Sequence, residues 1–128
     1  MIQFIYPYYR NPKMLKYQLN LWSSYGDLLK YFRFILIDDC SPEPAIDVIN
    51  NSSDDVKSRI IPRLKLFRIT QDIPWNQHGA RNLGVHVASQ GLLFLCDIDH
   101  IVPLKSALRL STFVFKSGNY YKFSRVRL

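Results

Sequence analysis

The sequence predicts an α/β protein, a mainly parallel sheet flanked by helices. Three observations carry that expectation. Short apolar runs of strand length alternate with stretches of helical period along the chain. At 128 residues there is room for a single core, so these elements belong to one domain spanning residues 1–128. Two of the runs, Phe34-Ile35-Leu36-Ile37 and Leu92-Leu93-Phe94-Leu95-Cys96, end directly in acids. Strands that alternate with helices pair in parallel through right-handed crossovers, and such sheets bind ligands beyond the carboxyl ends of their strands.

Each element has its own signal. Residues 2–6 form an apolar strand, and Asn11-Pro12 opens a helix with a capping side chain and a proline at the first helical position. Leu15, Leu19, Trp22 and Leu29 follow at helical spacing. Residues 34–37 are the second strand, 45–49 a short proline-flanked helix, and 50–55 a polar loop. The third strand is expected at 64–69 and a helix at 80–89, closed by Gly91. The fourth strand covers 92–96, a helix runs from Pro103 to about Phe115 before Gly118, and a last strand is expected at 120–126.

Composition narrows the class. Hydrophobic residues at 48% and charged residues at 21% are ordinary for a globular protein and exclude disorder. The apolar opening, residues 1–9, is too short for a signal peptide and is interrupted by Pro7, and no run has the length of a membrane span, so a cytoplasmic setting is expected. Cys40 and Cys96 read as free thiols, with neither a C-x-x-C nor the partner histidines of a zinc site. A net charge of +7 predicts attraction to phosphates or other polyanions, but no groove-reading motif supports nucleic acid. Of the ten acids, four lie in the two strand-end motifs and none follows Asp99.

Those acids define the candidate chemistry. In an extended segment Asp97 and Asp99 share a face, roughly 6.6 Å apart, close enough to serve one ligand. Two carboxylates at one spot need a compensating cation, and oxygen ligands with open positions suit Mn²⁺ or Mg²⁺ bridging to a diphosphate. Asp38-Asp39 ends the second strand, and the stretch from Trp75 and Asn76 to Gly79-Ala80-Arg81-Asn82-Leu83-Gly84 brings amides, a guanidinium and glycines to a helix start. Acids at two strand ends and a cationic helix start make one pocket.

With these motifs in this order, the chain resembles the nucleotide-binding half of the family 2 glycosyltransferases, which have the GT-A fold, a single Rossmann-like domain. The resemblance runs from Ile5 to about Leu128. It rests on Ile37-Asp38-Asp39-Cys40-Ser41, Gly79-Ala80-Arg81-Asn82-Leu83-Gly84 and Asp97-Ile98-Asp99, with Tyr6-Pro7-Tyr8-Tyr9-Arg10-Asn11 similar to the family's first strand and loop. It implies that Asp39 accepts from uracil, that Tyr8 or Tyr9, after Pro7, lies against the base, that Asp97 faces the ribose and that Asp99 binds the metal. Arg81, beside Asn82, would approach the donor, where a guanidinium neutralises phosphate or bonds the sugar. His100 stands where many relatives carry a further acid, as a metal ligand or a surface histidine. Trp75 and Asn76 would line the ribose or close the core.

The departure is on the acceptor side. Inverting relatives draw their general base from an acid after D-x-D, and here none follows Asp99. A donor half truncated before the acceptor half is therefore expected: a UDP-sugar-binding transferase, with glucose or galactose as the sugar and an unknown acceptor, hydrolysing its donor slowly and needing a partner for efficient transfer. The aromatic segment with Tyr120, Tyr121 and Phe123 predicts a bare surface and a homo-oligomer or completing partner protein. The alternative is a regulatory module that binds a nucleotide sugar without turnover. A phospho-receiver domain fits less well, because its acidic pair follows the first strand and here it follows the second.

Overall fold

A computed structural model describes residues 1–126. Among these, four strands form one sheet: β1 (Ile2–Tyr8), β2 (Phe32–Asp38), β3 (Leu64–Arg68) and β4 (Leu92–Leu95), in the order β3-β2-β1-β4. Every pair is parallel, with Phe4 opposite both Phe34 and Phe94. The helices are α1 (Pro12–Ser23), α2 (Ala45–Asn50), α3 (Asp54–Ile60), α4 (Gln77–Val87) and α5 (Leu104–Thr112). This is the α/β architecture that the alternation predicts.

Alternation along the strands divides the core in two. Even-numbered residues, among them Phe4, Tyr6, Tyr8, Phe34 and Leu36, bury one face against α1, α2, α3 and α5. Trp22 of α1 stacks on Phe34 with ring centroids 4.4 Å apart, and Phe4 meets Phe94 at 5.1 Å. Odd-numbered Ile5, Ile35 and Ile37 face the other way, against Ala80 of α4. Burial on both faces explains why β1 and β2 read as continuous apolar runs.

Several boundaries differ from the expectation, for local reasons. The α1 cap forms as predicted, with the Asn11 side chain accepting from the Met14 amide at 3.2 Å. The helix ends at Ser23, because Gly26, at φ +58°, turns the chain into a 3-10 segment, Gly26–Tyr31. Leu29 therefore enters the core from that segment and not from α1. The polar stretch expected as a loop over 50–55 runs into α3, which Ser53 caps on the Val56 amide at 3.2 Å. Its acids Asp54 and Asp55 lie in the first turn, and Lys57 and Arg59 in the last, which suits the helix dipole.

The expected final strand does not form: residues 120–126 pair with no strand, and Tyr120 and Val126 are exposed. Phe123 instead rests on Phe94, with ring centroids 4.9 Å apart. Arg127 and Leu128, to which the resemblance extended, lie outside the described residues. Among the described residues no helix is long and apolar enough to cross a membrane.

Candidate functional site at the carboxyl ends of the strands

The strand order reverses across β1, since β2 and β3 lie on one side and β4 on the other. Such a reversal opens a crevice at the carboxyl ends. The Asp38-Asp39 pair, the segment 97–100 and the start of α4 all lie there.

The two neighbouring acids of β2 do different work. Asp38 is buried, and its Oδ1 accepts from the Ser41 amide at 2.9 Å. Its Oδ2 accepts from the Ala45 amide at 2.7 Å and from Arg68 Nη1 at 2.8 Å. That carboxylate is spent on shaping the turn after β2. Asp39 is also buried but turns toward α4, where its Oδ1 accepts from Asn76 Nδ2 at 3.0 Å.

The tyrosines also separate. Tyr8 is fully buried and its hydroxyl donates to the Glu43 carbonyl at 2.8 Å, which leaves its ring inside the core. Tyr9 is exposed, with the Arg10 guanidinium 5.2 Å from its ring centroid, so it is the tyrosine available to a ligand. Pro7 is buried in β1, beyond the last pairing with β4. Trp75 is 98% exposed, which excludes the reading in which it closes the core.

Among the described residues, three non-glycine residues have left-handed backbones: Arg10 at φ 50°, Cys40 at φ 58° and Trp75 at φ 56°. One follows β1, one follows β2 and one precedes α4. Such conformations cost on the order of 1–3 kcal/mol each and cluster at functional sites.

Helix α4 joins the two acidic motifs. Asn76 reaches Asp39, Gln77 Nε2 donates to Asp97 Oδ1 at 2.8 Å, and Arg81 Nη2 forms an ion pair with the same oxygen. Both glycines of the motif are steric requirements. A Cβ at Gly79 would collide with the Asn76 carboxamide, and one at Gly84 with Ile5 Cγ2. Asn82 is exposed on α4 and takes no part in these bonds.

Asp97, Asp99 and His100 offer ligand atoms that all lie within 4.8 Å of one another. They are not equivalent. The His100 Nδ1 accepts from the Asp97 amide at 3.0 Å, so the neutral ring carries its proton on Nε2, which faces Asp97 Oδ2 at 3.4 Å. In this arrangement His100 has no free lone pair, whereas Asp99 is exposed and stands apart from the bonds that hold Asp97. The carboxylate oxygens fit a hard divalent cation, and His100 would join them only by giving up its bond to the Asp97 amide.

No family model and no curated protein sequence matches the chain. Among solved structures it is similar to residues 1–349 of TarS from S. aureus, with a TM-score of 0.71 over 86% of this chain. The fold is glycosyltransferase-like. At 16% identity the likeness to TarS is one of fold, and the chain spans 31% of that structure's length.

Within this glycosyltransferase-like frame, some features had a weak sequence signal or none. Gln77 lies within the stretch from Trp75 to Gly84, but nothing in the sequence singles it out as a partner of Asp97. A cleft of about 400 Å³ lined by Gly26, Asp27, Leu29, Lys30, Arg59 and Arg63 belongs to segments that enter β2 and β3 at their amino ends, away from the carboxylates. Both cysteines are free, as expected. Cys96, next to Asp97 in the chain, is buried, and burial pushes its thiol up to about 12.

Proposed function

We propose that this chain is the donor-binding unit of a metal-dependent glycosyltransferase of the family 2 kind, taking a UDP-sugar such as UDP-glucose or UDP-galactose. The observation that carries the reading is the bridging by α4: Asn76 on Asp39 and Gln77 with Arg81 on Asp97 tie the acids of two strands into one crevice. Asp39 keeps its second carboxylate oxygen for the N–H of uracil, and a base that lacks that donor would leave a buried acceptor unmatched. Tyr9 offers its ring to the base. Asp99 and Asp97 would hold Mn²⁺ or Mg²⁺, which when bound neutralises a diphosphate and eases its departure. Arg81 brings a guanidinium to the same place, and its buried Nε lacks a partner among the described residues. A phosphate or sugar oxygen within reach of this side chain suits that charge.

Calorimetric titration with UDP tests the reading. Binding is expected with Mn²⁺, lost in EDTA, lost in Asp99→Asn, and weaker for GDP. Equal binding with and without metal would overturn the metal assignment, and equal binding of GDP the uracil assignment.

A second reading is a nucleotide-sugar-binding module without turnover. It is favoured by the Arg81–Asp97 pair, which already supplies Asp97 with a positive partner from the chain itself. Release of UDP from UDP-glucose or UDP-galactose under Mn²⁺ separates the two readings. Exposed Leu95 on the edge strand β4, together with exposed Val114 and Tyr120, supports an additional partner or a second copy.

A further inference from the structure

Gln18 is a fully buried polar residue in the middle of α1, far in sequence from both acidic motifs of the site. Its Nε2 donates to two carbonyls, Ile98 O and His100 O, each at 2.8 Å. These carbonyls flank Asp99 on either side. The orientation of the amide is forced, because its oxygen in that place would face two acceptors.

Apart from Gln18, the backbone of this turn is held by bonds within itself, while Gln77 and Arg81 hold the Asp97 side chain. The His100 amide donates to the Asp97 carbonyl at 2.9 Å, and the Asp97 amide donates to His100 Nδ1. This closes a four-residue turn, with Ile98 packed against the core. The two carbonyls turned inward to Gln18 leave Asp99 as the exposed residue between them. Gln18 also carries a liability, since its Oε1 is buried without a partner among the described residues. An orphaned buried acceptor costs on the order of 1–3 kcal/mol. An apolar side chain there would remove that penalty but strand both carbonyls.

We infer that Gln18 is a positioning residue for the metal-binding turn: its amide fixes the Ile98–Asp99 peptide group and the carbonyl of His100, the residues on either side of Asp99, and so sets where the Asp99 carboxylate stands relative to Asp97. The inference rests on the metal reading of the site proposed above. Residues that orient ligands in this way typically change metal affinity by about 10- to 100-fold when removed.

The test compares Gln18→Met with Gln3→Met. Gln3 is likewise buried, but it grips Ser89 before β4, accepting from the Ser89 amide at 3.0 Å and donating to its carbonyl at 2.6 Å. It therefore controls for the loss of a buried glutamine as such. Two readouts are taken on folded protein: Mn²⁺ affinity by electron paramagnetic resonance, and amide hydrogen exchange over residues 96–102. In Gln18→Met, Mn²⁺ affinity should fall by about tenfold or more and the turn should exchange faster. In Gln3→Met both should match the wild type. Unchanged exchange and Mn²⁺ affinity within about twofold in Gln18→Met would overturn the inference, as would an equal loss in Gln3→Met. A wild-type chain that binds no Mn²⁺ would refute the metal reading instead, and exchange alone then decides the role of Gln18. Should Gln18→Met fail to fold, Gln18→Asn, which keeps the amide but shortens its reach, takes its place with the same expected outcomes.

Discussion

Replacing Asp38 with asparagine should destabilise the protein by about 2–4 kcal/mol. The carboxylate accepts three hydrogen bonds, one on Oδ1 from Ser41 and two on Oδ2 from Ala45 and Arg68. Asparagine has a single acceptor oxygen. If that oxygen replaces Oδ2, the Ser41 amide faces an NH₂ group and is left without a partner; the opposite orientation strands both Ala45 and Arg68. The better orientation thus orphans one buried N–H, a loss of about 1–3 kcal/mol. The Arg68 guanidinium also loses its counter-charge, which adds about 1 kcal/mol because that side chain is partly solvated. Asp38→Ala, which strands all three donors, should lose about 3–6 kcal/mol. Urea unfolding followed by far-UV circular dichroism and by the emission of buried Trp22 gives both values. An asparagine variant within about 0.5 kcal/mol of the parent would refute the reasoning and reassign Asp38 from the turn to the ligand.

Stability should fall as the solution becomes alkaline. Burial, the leading cause, raises the Cys96 thiol from 9.0 to about 12, and it raises Tyr6, Tyr8 and Tyr25 as well. A group raised in the folded state contributes fully below its unfolded value and loses that contribution on the way up to its folded one, so the decline belongs between pH 9 and 12. Urea midpoints measured from pH 7 to 10 should drop above pH 9 and drop less in Cys96→Val; a flat profile would contradict this. Gly84→Ala should cost a net 1–3 kcal/mol or so, because the clash with Ile5 outweighs a helix-propensity gain of about 1 kcal/mol. A melting temperature at or above the parent's would show that α4 has room to move. Saturating UDP with Mn²⁺ should shift the emission of exposed Trp75, and Trp75→Phe should abolish the shift while the Trp22 signal stays. No shift in the parent would place Trp75 outside the site.

Much of the fold was legible because parallel strands buried on both faces announce themselves as apolar runs, and the acids that end two of them mark the carboxyl edge. What stayed hidden depends on three-dimensional context. Tyr8 and Tyr9 are indistinguishable in sequence, and only the point where β1 ends separates them: Tyr8 is its last residue and buried, whereas Tyr9 lies just beyond it and is exposed. Asp38 and Asp39 differ because the next turn folds back to place Ser41 and Ala45 over the first of them. Helix α3 was masked by its own polarity, although Ser53 with Asp54 and Asp55 ahead of Val56 and Ile60 is a readable start. The aromatic residues after position 119 have strand propensity but no neighbouring strand to pair with, and pairing decides. Gln18 left one trace, a polar residue within the apolar stripe of Leu15, Leu19 and Trp22.

Among the described residues, helices α1, α2, α3 and α5 share one face of the sheet, while α4 alone covers the smaller core on the other. A lone helix over a small core is the natural unit of a sub-global opening, one that detaches while the rest of the fold persists. Asn76, Gln77 and Arg81 all travel with it, so a single excursion would separate Asp39 and Asp97 from their partners together. Occupancy of the crevice and closure of α4 would then be two views of one equilibrium. A ligand that bridges the acids and the helix would slow exchange along α4 without touching most of its residues.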